Sequence, residues 1–398
     1  MVLPAMFLAA IATLSAQAPA ESPPRGRTEV RPCLPADQPP SPYEQLLARY
    51  ASADDAAVDA AVDAVATKPA VEFDAPLNEA WIVGALRAKC AARQKGRSRS
   101  PLEWHKAQDR VARLMVAAML LHTEAALLTS ADQVTGHLDL ARRAAQSLED
   151  VKAEHHSPGS GFIGPEQVAQ IVHEWHVLAG SVLVARGTGN VVYQFITKAL
   201  QRYTNDPDLH LALGIYFERD ANDGVVDVSL VRDIYMPETV SSWRGALESA
   251  VDHYEEALKT ESSLEEAQLR LGRVDTLLGE RRKAEAALTP LATGARNPSI
   301  RYLALLFLAE LADAQGRREP AQSRYLEALV LYPEAQAPML ALSCLQDQAG
   351  DDVGARAWLE RSLNAVNSKR LDPWWLYGKA PVSRFNDMIG ALRKYLRP

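Results

Sequence analysis

The chain has 398 residues, 47% of them hydrophobic and 23% charged, enough for two or three domains of roughly 150 residues and too apolar for general disorder. The 43 Lys and Arg against 50 Asp and Glu leave a net charge of −7, which argues against a general nucleic-acid binder. No run of 18 apolar residues occurs, which excludes a polytopic membrane protein, and 3 cysteines without a C-x-x-C spacing exclude a disulfide scaffold or a cysteine zinc site.

Residues 1–20 carry no charged side chain, and Ala5 to Leu14 form an apolar run of signal-peptide length, too short to span a bilayer. Cleavage is expected after Ala20, because Pro19 disfavours the earlier Ala16-Gln17-Ala18 site. The expectation is export to the periplasm or beyond, with no membrane span left after cleavage. No Lys or Arg precedes the run, so a buried helix in a cytoplasmic protein is the alternative. Residues 21–42 contain seven prolines and read as an extended linker. Cys33 lies in it; export would permit pairing with Cys90, while free thiols are the simpler state.

Residues 43–171 form a helical amino-terminal region, possessing helix patterns at 43–50, 54–67, 77–93, 103–129 and 133–149. Val111, Leu114, Met115 and Ala118 show the helical spacing. The basic run from Arg87 to Arg99 reads as a solvated helix end and loop. Gly159-Ser160-Gly161-Phe162-Ile163-Gly164 matches G-x-G-x-x-G, but no strand precedes it, so it reads as a loop before a helix at Pro165. No segment reads as a strand. His173-Glu174-Trp175-His176 resembles a zinc-protease motif, yet its histidines are three apart where that motif needs four. With His155 and His156 a four-histidine metal site can be drawn; ordinary surface polarity is the simpler reading, and no metal, cofactor or catalytic residue is expected.

The second half repeats. Ala250, Ala284, Ala321 and Ala355 are spaced by 34, 37 and 34, and four residues after each comes Tyr254, Leu288, Tyr325 or Leu359. Seven and eight residues after them come Ala257-Leu258, Leu291-Ala292, Ala328-Leu329 and Ser362-Leu363, and Gly279, Gly316 and Gly350 precede the last three alanines by five. The pattern predicts helical hairpins with a glycine turn, small residues where paired helices meet, and stacked neighbours to bury what one hairpin cannot.

This period resembles the tetratricopeptide repeat (TPR) family. Residues 302–335 carry the resemblance best, through Leu308-Ala309, Gly316, Ala321, Tyr325, Ala328-Leu329 and Pro333. Five such units span 172–370: Trp175, Leu178-Ala179 and Ala199-Leu200 mark the first, and an insertion at about 218–241 interrupts the second. The resemblance implies an all-α, right-handed helical-repeat solenoid. Residues 371–398 then supply a cap, whose Phe385, Met388, Ile389, Leu392 and Leu396 make one apolar stripe, with Trp374, Trp375 and Tyr377 packed into the core before it.

The resemblance also implies a concave ligand groove lined by the first helix of each unit. The fifth consensus position holds His176, Leu211, Leu269, Leu306 and Leu340; the ninth Gly180, Ile215, Arg273, Glu310 and Cys344; the twelfth Leu183, Glu218, Thr276, Asp313 and Asp347. His173 shares that face. The Lys, Asn and Arg set that grips chaperone tails is absent. A leucine row flanked by carboxylates implies an apolar or basic segment of a partner protein. The functional expectation is a non-catalytic protein-interaction scaffold of the cell envelope, binding a protein or peptide and no nucleic acid. The alternative is an enzyme or metal-binding module in the amino-terminal region, with the repeats as its docking arm.

Overall fold

In the computed structural model the described residues are 62, 66, 101–128, 131–149, 163–186, 190–230, 238–365, 372–378 and 384–396, within a unit formed by residues 40–398. The signal-like run, the proline-rich linker, the Cys33 and Cys90 pair, the basic run from Arg87 to Arg99, His155, His156 and the start of the glycine motif lie outside them.

The described residues form helices in six antiparallel pairs and contain no strand. The pairs are α1 (Pro101–Leu128) with α2 (Ala131–Glu149), α3 (Pro165–Arg186) with α4 (Asn190–Arg202), and α5 (Pro207–Leu230) with α6 (Glu238–Thr260). They continue as α7 (Glu265–Leu278) with α8 (Arg281–Gly294), α9 (Pro298–Asp313) with α10 (Arg318–Leu331), and α11 (Gln336–Gln348) with α12 (Asp352–Asn364). A short turn of helix, α13 (Trp374–Tyr377), and α14 (Phe385–Lys394) complete the described chain. The second helix of each later pair packs on the first helix of the next, α6 on α7, α8 on α9 and α10 on α11, which makes an all-α helical-repeat solenoid.

The glycine turns explain how each hairpin closes. Gly279, Gly316 and Gly350 have φ of 84°, 71° and 78°, a conformation costly to any residue with a Cβ. Each ends its helix with the same pair of bonds. Glu280 N–H donates to Asp275 O at 2.8 Å, Arg317 to Ala312 at 2.9 Å and Asp351 to Gln346 at 2.9 Å, while each glycine N–H reaches back three residues. That pair of hydrogen bonds satisfies carbonyls a helix end would leave orphaned. The alanine column packs as the spacing predicts: Ala250, Ala284 and Ala321 are fully buried and Ala355 nearly so.

Of the insertion at about 218–241, the residues to Leu230 continue α5 and those from Glu238 open α6. α3 is long and apolar enough to cross a bilayer by length and composition. It is the central core helix, packed by α1, α2, α4, α5 and α14, and its Trp175 is fully buried with the indole N–H donating to Thr123 Oγ1 at 3.0 Å.

The carboxyl-terminal helix differs from its expected place. The sequence reading set it over the last repeat; in the structure α14 lies on α3 and α1, at the opposite end of the described chain. Its apolar stripe is the reason: Leu392 and Leu396 join the core built on α1 to α6, and Met388, Ile389 and Tyr395 pack against that core.

Candidate functional site

Residues 372–378 and 384–396 lie against the first helices of the repeats, and their contacts follow in reverse chain order. At α9 and α11, Asp372 accepts from Tyr302 Oη at 2.8 Å and from Ala337 N–H at 2.9 Å, so its two oxygens tie two helices. At α7 and α9, Trp374 and Tyr377 meet Phe307 edge-on at ring separations of 5.9 and 5.1 Å, and the Arg273 guanidinium lies over both Phe307 and Trp374. At α5 and α7, Tyr377 Oη donates to Glu218 Oε1 at 2.6 Å and Arg270 Nη2 donates to the Tyr377 carbonyl at 3.0 Å.

Farther along, Arg384 Nη1 donates to Asp208 Oδ1 and to Glu261 Oε2, each at 3.1 Å. On α3 and α1, Ser181 touches Met388 Sδ at 3.8 Å, Tyr395 Oη donates to Glu174 at 3.2 Å, Arg393 donates to Glu124 at 2.6 Å, and Arg113 donates to the Tyr395 carbonyl at 2.8 Å. The first helices therefore hold two carboxyl-terminal helical segments by aromatic packing, ion pairs and main-chain acceptors.

The centre of this contact is a buried ionic network. Arg270, 1% exposed, bonds Glu218 at 3.2 Å and Glu266 at 3.1 Å and stacks on the Tyr377 ring at 4.3 Å. Glu218 also accepts from Tyr254 Oη at 2.7 Å. A lone buried charge would cost several kcal/mol, so the partners must be complete. Burial, and next the Glu218 carboxylate, push the Tyr254 and Tyr377 phenols well above their usual range, keeping both as donors.

The positions assigned to the groove separate into three groups. Leu211, Ile215, Leu269 and Leu306 are buried. The first two share a cluster with Leu392 and Leu396, the second two a cluster with Tyr377, so the carboxyl-terminal residues complete the cores to which they belong. Arg273 and Glu310 form an ion pair with each other. Leu340 is 39% exposed, Asp347 is exposed and Asp313 is half-buried. Trp375 and Leu376 of α13, which follows the Asp372 that bonds the start of α11, are 47% and 43% exposed, and Cys344, one helical turn from Leu340, is an exposed free thiol. Leu340 and Asp347 are thus the open positions of the assigned face, and Trp375 and Leu376 are exposed on α13.

The two histidines serve different partners. His173 Nε2 is 2.6 Å from Asp206 Oδ2, and that hydrogen bond raises the imidazole pKa despite partial burial. His176 Nδ1 meets the Val172 carbonyl at 2.7 Å, and burial lowers its pKa. Among the described residues no group of three or more His, Cys, Asp or Glu side chains is placed to hold a metal ion.

Sequence reasoning missed Arg270, Asp372, Tyr377 and Arg384 as partners in the groove. A signal was present for the first: Glu266 and Arg270, one helical turn apart between Ala267, Leu269 and Leu271, set an ion pair inside an apolar stripe. Nothing local to Asp372 or Arg384 shows which other helices they reach, because those partners lie between 35 and 176 residues away.

No family model matches the chain, and no curated protein matches it either. Among solved structures, the chain is similar to a monomeric mutant of IFIT1 with Gppp-AAAA, at 15% identity and a TM-score of 0.39 over 81% of this chain and 71% of that one. It is similar also to a human IFIT1 dimer with PPP-AAAA, at 15% identity and a TM-score of 0.38 over 82% of this chain and 69% of that one.

Proposed function

We propose that the protein is a non-catalytic interaction scaffold of the TPR kind, binding an apolar or basic segment of a partner protein on the face of its first helices. The observation that supports this is the occupied face itself. Six first helices already hold residues 372–378 and 384–396, with apolar, ionic and main-chain contacts of the sort a partner segment would make. The buried leucines and the Arg270 network belong to that resident segment, so the partner takes the open end. Leu340, Trp375 and Leu376 supply apolar area there, and Asp347 and Asp313 supply the charge that favours a basic flank. The signal-like run at residues 1–20 supports work in the cell envelope.

The test uses Cys344 as a handle. With Cys33 and Cys90 replaced by serine, a photo-crosslinker on Cys344 should join the full-length protein to one defined envelope protein. Leu340→Asp together with Trp375→Asp should remove that product, because both side chains are exposed, and leave the circular-dichroism spectrum as in the parent. An unchanged crosslink in the folded double variant would refute the assignment of the open end.

A further inference from the structure

Among the described residues, no helix of a following pair packs on α12, the second helix of the last hairpin. In the earlier hairpins the residue four positions after the repeated alanine is buried, with Tyr254 at 0%, Leu288 at 0% and Tyr325 at 2% exposure. Its counterpart in α12, Leu359, is 42% exposed; Leu363, the counterpart of Leu329 at 6%, is 61% exposed. The cause is the neighbour: α6, α8 and α10 are each packed by the first helix of the next pair, whereas α14, the helix that could have covered α12, lies on α1 and α3.

The outer stripe of α12 matches an inverted copy of itself. Val353, Arg356, Glu360 and Leu363 are all exposed and follow at intervals of three, four and three residues, which places them on one helix face. The order is apolar, positive, negative, apolar. Reversed, it reads apolar, negative, positive, apolar. An antiparallel pair of such helices about a two-fold axis near Trp358 sets Arg356 against Glu360 of the second copy, twice. The same axis sets Leu363 against Val353 of the second copy. A surface that complements itself under rotation is what an isologous interface requires.

We propose that this face of α12 is a docking surface for a second copy of the chain, with the two α12 helices antiparallel. The apolar ends then cover Val353 and Leu363, and the central charges fix the register.

Sedimentation equilibrium of the full-length protein tests this, with variants chosen at exposed positions so that folding is unaffected. The wild type should be a dimer. Val353→Asp with Leu363→Asp should be a monomer with an unchanged helical spectrum. Arg356→Glu alone and Glu360→Arg alone place like charges together and should each weaken the dimer by about tenfold or more. The double variant Arg356→Glu with Glu360→Arg reverses both pairs and should restore it. A wild type that remains a monomer at about 100 µM, or single charge variants that dimerise as well as the wild type, would overturn the proposal. So would a monomeric wild type whose α12 face instead binds a different protein. The crosslink at Cys344 reads the first-helix face and is unaffected by any of these outcomes.

Discussion

Tyr377 Oη donates to Glu218 Oε1 at 2.6 Å across 159 residues of sequence. The bond joins the segment after the last repeat to the helix that opens the insertion, inside a cluster where Glu218 also receives Tyr254 and Arg270. Removing one donor leaves a buried carboxylate short of a partner. Tyr377→Phe should destabilise the protein by about 1–3 kcal/mol in urea unfolding. Glu218→Ala removes a charge partner of fully buried Arg270 and should cost more, about 3–5 kcal/mol. Equal losses in the two variants would mean that the ionic network is not intact in solution.

Two helix glycines should respond oppositely to alanine. A Cβ at Gly272 would meet Leu288 Cγ at 2.6 Å, against the paired helix, whereas at Gly180 its nearest neighbour would be Leu209 Cδ2 at 3.5 Å. Gly272→Ala should therefore lower stability by about 1–3 kcal/mol through overpacking. Gly180→Ala should be neutral or stabilising by up to about 1 kcal/mol, because alanine suits a helix interior better. Thermal midpoints of the two variants give the comparison directly.

His122 gives the acid response a defined part. Its side chain is fully buried, and burial first, then His137, lower its pKa from 6.5 to about 3. Because the folded value lies below the unfolded one, the stability from neutral His122 is complete above pH 6.5. It is lost as pH falls from there toward 3, with a slope up to about 1.4 kcal/mol per pH unit. Asp208 and Asp275, raised to about 6 chiefly by burial, act in the opposite sense, since the folded state holds their protons between about pH 4 and 6. Thermal midpoints of wild type and His122→Leu from pH 7 to 4 isolate the histidine. The wild type should fall faster than the variant below pH 6.5; parallel curves would exclude this role.

Arg384 fastens the start of α14. Its pairs with Asp208 and Glu261 are partly exposed, so Arg384→Ala should cost only about 0.5–1 kcal/mol. The loss should be local. Hydrogen exchange should accelerate at the amides of α14 by up to about fivefold, while α9 to α12 keep their protection. Uniform acceleration across the repeats would show that the segment is not a separable part of the fold.

The hairpins were legible because their chemistry is local. A glycine at positive φ and an alanine at a helix crossing are each dictated by a few neighbours, and both recur at the spacing of the repeat. The leucines of the first helices were legible only as apolar residues. Leu269 and Leu306 have the same character whether they await a partner or are buried, and the choice is made by Tyr377 and its neighbours, far along the chain. The amphipathic stripe of α14 announced a helix with a buried face but not which surface buries it, since the last repeat and α3 both offer apolar ground. Trp374 and Tyr377 entered the core as their composition suggested, and Trp375 between them stayed exposed, a split set by the turn of α13 rather than by residue type.

The passage of the carboxyl-terminal segment along the first helices is tested most directly by a disulfide between Ser181→Cys and Met388→Cys, whose native side chains touch at 3.8 Å although 207 residues separate them. With Cys33, Cys90 and Cys344 replaced by serine, mild oxidation of the folded protein should give one intramolecular bond, seen as a linked peptide pair spanning α3 and α14. Two free thiols in a fully helical protein, or a bond formed only between molecules, would contradict that passage.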